Sequence, residues 1–377
     1  MHTTIDTVTR IYATGEHAAF TDLCAWRGKY YVAFRRAYSH DIVPPGEIAV
    51  LTWDGTQPKR PHWQPCGVIS HPHGDCRDPK FFATRHALYL LCGVYLPMPS
   101  HEMTAGLSPL ATDNLLITHI TFTTDGEHWA SLQPILRPNY WGWSMVPTRA
   151  GALLASYHVG TDGERTSSIA LWSSVNLLRW QSYGTIYDGA SYTKDAQDYR
   201  YPSGQPSEPV LYIPDQQRLA CCLRTENSMA IGISLAPHQD NWRWWNTKEM
   251  IHSSAILATE HSWLLSGRAL TPVYANTTQR RTGRAATASP RGRMPDMPSF
   301  LGYQSTTALW TLNGQYVEPL LTFPSGGDTG YAGLCYGRKP GEYYCSYYSQ
   351  HNYDANGIHQ ASLPSADIYV ATIHVEE

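Results

Sequence analysis

The sequence predicts an all-β chain folded as a six-bladed β-propeller, and three observations carry that expectation. With 25 Tyr, 13 Trp, 29 Gly and 26 Pro beside a charged fraction of only 16%, the composition suits short pleated strands and turns and disfavours long amphipathic helices. Two apolar runs joined by a polar turn recur six times along the chain. Each copy is followed by a third strand-like run, and the copies recur about every 62 residues, a period that fits a four-stranded blade.

In chain order, the segment 2–14 precedes the first copy and is expected to close the ring by pairing into the last blade. The hairpins then begin at Asp22 ("DLCAWRGKYYVAFR"), Asp78 ("DPKFFATRHALYLLCG"), Met145 ("MVPTRAGALLASYH"), Glu208 ("EPVLYIPDQQRLACCLR"), Ala255 ("AILATEHSWLLSGR") and Tyr331 ("YAGLCYGRKPGEYYCSYY"). The third strands are read at 47–55, 115–126, 168–176, 229–234, 306–314 and 366–373. Residues 276–300 interrupt this rhythm with five arginines, three prolines and no apolar period, which predicts a long loop inserted in the fifth blade, either simply solvated or closing over an anionic ligand. The competing architecture, two β-sandwich domains, needs a linker near the middle of the chain, and none is present. Residues 1–377 are therefore read as a single propeller domain.

A net charge of −3 gives no bulk attraction to nucleic acid or to an anionic membrane, so neither is expected as a partner. The N-terminus lacks a basic region followed by an apolar run, and no stretch approaches the roughly 18 apolar residues of a membrane span; a soluble, cytoplasmic chain is the default expectation. The eight cysteines form no CxxC pair, and Cys24, Cys92, Cys221, Cys222, Cys335 and Cys345 fall in apolar runs, which reads as reduced core residues, with one or two disulfides as the alternative.

In a propeller the innermost strands surround a channel, and their first residues converge from distant sequence positions. Here those positions read Thr21-Asp22, Arg77-Asp78, Ser144-Met145, Ser207-Glu208, Ser254-Ala255 and Asp328-Thr329-Gly330-Tyr331. Four of the six copies carry a carboxylate or a phenol where a buried strand would favour Val or Ile. Charges meeting at one rim shift one another's proton affinities, as acid–base chemistry requires. Each taken singly also suits a blade cap bonded to nearby backbone.

On these residues the chain resembles the sialidase (neuraminidase) superfamily of six-bladed propellers. The family opens the inner strand of its fourth blade with a Glu and ends the next strand with an Arg, as "SEPVLYIPDQQRLACCLR" does with Glu208 and Arg224. It opens its last blade with a Tyr, matched by Tyr331 in "TGYAGL". Its Asp-box turn is matched by "TTDGEHW", Thr123 to Trp129, with weaker copies at "TWDGTQPKRPHW" and "SSVNLLRW". The resemblance implies a glycosidase acting on a terminal acidic sugar, with Tyr331 as nucleophile, Glu208 as its base and Asp41 or Asp78 as the acid. It also implies arginines that grip the sugar carboxylate: Arg224, and Arg268 in competition with Arg280, Arg281 and Arg284. Asp22, His40 and Asp328 join the substrate-binding candidates.

One departure weakens the match. The family begins its first blade with an Arg-Ile-Pro motif whose arginine completes the clamp, whereas this chain has "AFTDL", with Asp22. Arg35 or Arg77 takes over that role, or the substrate is not an ordinary sialic acid. Arabinan, uronate and Kdo-type glycans, handled by a hydrolase or a lyase, are the alternatives, and a non-catalytic glycan-binding propeller is a third. The cluster "HPHGDCRD" fits no standard ligand spacing, so neither metal nor cofactor is expected. The Trp-rich "NYWGWS" and "NWRWWN" are read as packing between blades.

Overall fold

The computed structural model describes residues 2–58, 60–97, 114–159, 168–189, 206–215, 218–225, 229–234, 242–272, 303–351 and 365–376. The expected 276–300 insertion, with Arg280, Arg281 and Arg284, lies outside these residues. The described chain has 24 strands and no helix. β1 (His2–Tyr12) comes first. The first blade is β2 (His17–Trp26), β3 (Lys29–Ala37), β4 (Glu47–Trp53) and β5 (Gln64–Ile69); the second is β6 (Asp75–Ala83), β7 (Leu88–Pro97), β8 (Asn114–Thr123) and β9 (Gln133–Pro134). The third is β10 (Tyr140–Thr148), β11 (Gly151–His158), β12 (Ser168–Ser174) and β13 (Gln181–Asp188). β14 (Ser207–Tyr212), β15 (Ala220–Arg224), β16 (Met229–Ser234) and β17 (Trp242–Asn246) make the fourth. β18 (His252–Ala258), β19 (Trp263–Pro272), β20 (Tyr303–Asn313) and β21 (Tyr316–Thr322) make the fifth, and β22 (Thr329–Tyr336), β23 (Glu342–Ser349) and β24 (Asp367–Glu376) belong to the last.

Each sheet is an antiparallel meander, and together the six form a six-bladed propeller. The last blade is completed by β1, which pairs with β24 from His2–Glu376 to Tyr12–Ile368, so the first and last strands share one sheet and close the ring. Position in the blade explains the sequence patterns. The second strands are packed on both faces and lose the period-two alternation: β23, "EYYCSYYS", is buried at every position. Outer strands such as β5 and β21 meet solvent and carry the exposed polar residues. All eight cysteines are unpaired thiols.

A break in register near the start of every inner strand decides what faces the site. In β2, two residues, Phe20 and Thr21, stand between the pairs Ala19–Arg35 and Asp22–Ala33. The same two-residue bulge holds Asp78 and Pro79 in β6, Glu208 and Pro209 in β14, Ser253 and Ser254 in β18, and Tyr331 and Ala332 in β22; in β10 the extra residue is Trp143. Phe20, Asp78, Glu208, Ser253 and Tyr331 have φ of 59°, 52°, 51°, 53° and 46°. A non-glycine residue in this left-handed region costs of order 1–3 kcal/mol and persists only where its surroundings enforce it. Five copies at equivalent positions make the bulge a repeated device for aiming one side chain per blade.

Candidate active site

The bulged residues of the fourth and last blades meet. Tyr331 Oη donates to Glu208 Oε1 at 2.9 Å, across 123 residues of sequence. Arg224 Nη1 donates to the same oxygen at 2.7 Å, and Ser253 Oγ, from the fifth-blade bulge, donates to Oε2 at 2.8 Å. Glu208, expected as the base of Tyr331, holds its own hairpin's Arg224 as well. Glu208 is only 4% exposed. Burial works to raise its carboxyl, but Arg224, Ser253, His252 and the Tyr331 hydroxyl outweigh that and hold it below the usual carboxylate range. Burial, together with the Glu208 and Asp78 charges, pushes the Tyr331 phenol far up despite Arg224 and Arg268, so it rests neutral.

Asp78, the second-blade bulge residue, is 4% exposed, and its Oδ1 has no hydrogen-bond partner among the described residues. Burial drives its carboxyl up to about 6 against the pull of Arg77 and Lys80, with the Glu208 charge adding to the rise. Asp41 sits on the exposed loop after β3, where its carbonyl accepts from Arg35 Nη2 at 2.5 Å. The Asp78 charge is among those that raise the Tyr331 phenol.

Aromatic rings surround the pair. Phe20 lies 4.7 Å from the Tyr331 ring and Trp143 6.0 Å, with Trp141 stacked on Tyr157 at 5.6 Å. Gly93 lets this wall come close, since a Cβ there would stand 2.7 Å from Trp141 Nε1. Trp143 of "NYWGWS" therefore packs beside Tyr331, and Phe20, Trp143 and Ser253 are candidate site residues that the sequence reading did not name.

Arg35, Arg224 and Arg268 occupy equivalent places: each pairs across the hairpin with the residue just before its blade's bulge, Ala19, Ser207 and His252. Their surroundings differ. Arg224 is held only by Glu208 among the described residues. Arg268 donates to Asp328 Oδ1 at 2.8 Å, to the Tyr348 hydroxyl at 2.9 Å and to the Thr329 carbonyl at 2.5 Å. Arg35 is wholly buried, bonded to Asp75 Oδ1 at 3.0 and 2.7 Å and to the carbonyls of Ser39 and Asp41. Arg77 bonds Asp75 Oδ2 at 2.8 Å and the His40 carbonyl at 2.9 Å, with its guanidinium 5.4 Å above the Phe20 ring. Asp75 thus ties both candidate replacements for the first-blade arginine into the scaffold.

Asp75→Ala would leave two buried guanidinium groups without their shared counter-charge. The expected cost is about 3–5 kcal/mol, read as a lower urea midpoint at unchanged slope. A variant within about 0.5 kcal/mol of the parent would show that the cluster does not bear on folding.

Asp22 is not brought to this group. It follows the bulge, its Oδ2 accepts the Phe81 amide at 2.6 Å, and it lines a cavity in the channel with Lys80, Trp143, Met145 and Cys335. His40 Nδ1 and Asp328 Oδ2 are 2.9 Å apart at the junction of the first and last blades.

No protein-family model and no curated protein matches the sequence. Solved structures do match. Trypanosoma rangeli sialidase in complex with sialic acid aligns at a TM-score of 0.57 with 12% identity, covering 98% of this chain and 57% of the other. A mutant of that sialidase displaying trans-sialidase activity aligns at 0.54 with 14% identity, covering 94% and 54%. A GH43_1 enzyme from Xanthomonas citri complexed with xylotriose aligns at only 0.45 with 11% identity, covering 69% and 84%. The chain spans a little over half the length of the sialidases that it matches. What it shares with them is the six-bladed sialidase-like propeller fold.

Proposed function

We propose that this chain is a glycoside hydrolase that cleaves a terminal sugar through a Tyr331 nucleophile, with Glu208 as its base and Asp78 as acid and then base. The 2.9 Å bond between Tyr331 Oη and Glu208 Oε1 carries the reading, because a phenol becomes an effective nucleophile when a carboxylate is placed to take its proton. As Oη bonds to the anomeric carbon, its proton passes to Glu208, and the C–O bond to the aglycone breaks. Asp78, protonated below about pH 6, gives its proton to the departing oxygen. It then removes a proton from the water that releases the sugar from the tyrosine, and Glu208 returns the phenolic proton.

A neutral resting phenol avoids repelling an anionic sugar, and the donors of Arg224 not used by Glu208 suit a carboxylate. The matched sialidase structures include complexes with sialic acid, and sialic acid is accordingly the first substrate class proposed. A second class, neutral or uronic sugars, is favoured by Phe20 standing at the first-blade bulge and by the commitment of Arg35 and Arg77 to Asp75. Aryl glycosides of sialic acid, Kdo, hexuronic acids, arabinose and neutral hexoses, assayed side by side, test both. Release from sialosides is expected, release only from neutral or uronic substrates would select the second class, and release from none would overturn the enzyme reading.

A further inference from the structure

We propose that His17, His40 and Asp328 form a binding site for one divalent first-row metal ion of the zinc class, at the junction of the first and last blades. His17 opens β2, His40 lies in the loop after β3, and Asp328 directly precedes β22. Asp328 Oδ2 is 2.9 Å from His40 Nδ1 and 3.4 Å from His17 Nε2, and the three ligand atoms lie within 4.8 Å of one another. Three ligands about 2.0–2.2 Å from a tetrahedral ion stand roughly 3.3 Å apart, close to both separations from Asp328.

The second, independent observation is His17 itself. It is 1% exposed, and neither ring nitrogen has a hydrogen-bond partner among the described residues. Its approach to Asp328 at 3.4 Å lacks hydrogen-bond geometry. A bare imidazole in the interior is costly unless something takes its lone pair.

The other contacts of Asp328 orient it for this task. Oδ1 accepts from Arg268 Nη2 at 2.8 Å and from the Tyr348 hydroxyl at 2.6 Å, and the backbone amide donates to Gln350 Oε1 at 2.9 Å. Such supporting bonds fix the carboxylate and turn Oδ2 toward the two imidazoles, where it shares a hydrogen bond with His40 Nδ1 that an ion would replace. The His40 side chain is 55% exposed, which gives an entry path and an open coordination position. Two imidazoles and one carboxylate suit zinc or cobalt better than calcium or magnesium. The site stands one ring from the Tyr331 pair, since Phe20 contacts His40 at 5.2 Å and Tyr331 at 4.7 Å. It would bring positive charge to the blade that lacks a clamp arginine, although the metal site itself does not depend on the glycosidase reading.

The full chain, stripped with EDTA and dialysed, is titrated with Zn²⁺ by calorimetry and with Co²⁺ by visible absorbance. The expected result is one equivalent bound at micromolar or tighter affinity, with a rise in melting temperature. His40→Ala, at an exposed position, and Asp328→Asn are each expected to weaken binding at least about tenfold. His71→Ala, in the separate group of His71, His73 and His119, is expected to leave binding intact. Absence of saturable micromolar binding, or loss in His71→Ala without loss in His40→Ala, overturns the proposal.

Discussion

Tyr331→Phe is expected to lower turnover by at least about 10³-fold while leaving the propeller folded. The substitution removes one oxygen, the proposed nucleophile, and keeps the ring that packs against Phe20, Trp143 and Tyr348. The backbone at φ 46° treats Phe and Tyr alike. Glu208 loses one of three donors but retains Arg224 and Ser253, so the stability cost should stay within about 1–3 kcal/mol. Initial rates on the best substrate of the glycoside panel, with near-UV circular dichroism as the folding control, check both halves. A variant that turns over within tenfold of the parent would remove Tyr331 from the chemistry. Glycan binding by the parent without product release, equal in the variant, would favour a binding propeller.

The repeat made the architecture legible. Six hairpins with a trailing strand gave the number of blades, and the leading 2–14 segment pointed to the closure seen between β1 and β24. The site was half legible, for a definite reason. Of the six hairpin starts, Asp78, Glu208 and Tyr331 coincide with the bulges, while Asp22, Met145 and Ala255 fall two residues beyond Phe20, Trp143 and Ser253. A bulge breaks the alternation from which inward-facing residues are read, and nothing in an apolar run such as "HAAFTDL" marks its place. In two blades a trace existed: Pro79 and Pro209 follow the bulged carboxylates, and proline tolerates the unpaired second bulge position because it has no N–H to satisfy. The fates of the arginines were less accessible still. Arg35, Arg224 and Arg268 hold one equivalent position, and only the long-range arrival of Asp75 at Arg35 and of Asp328 at Arg268 distinguishes them.

Asp78→Asn is expected to raise stability at neutral pH and to abolish acid-assisted cleavage. The folded carboxyl titrates near about 6 against an ordinary 3.8, so between those values the folded chain holds a proton that the unfolded chain has released. Stability therefore falls as pH rises through this window, and above it the buried charge costs about 3 kcal/mol. Asparagine carries no charge and readily adopts the left-handed backbone at φ 52°. Denaturation at pH 8 should then show the variant more stable by up to about 3 kcal/mol, shrinking to nothing near pH 3.5. Activity should move the other way. In the parent, kcat is expected to decline as pH rises through about 6, because the leaving oxygen loses its proton donor. In the variant that limb should vanish and natural glycosides should slow by about 10²–10⁴-fold. Aryl glycosides, whose phenolate departs without help, should be far less affected in their first step. A variant less stable than the parent at pH 8, or one that slows aryl and alkyl glycosides equally, would mean that Asp78 serves the fold rather than the proton.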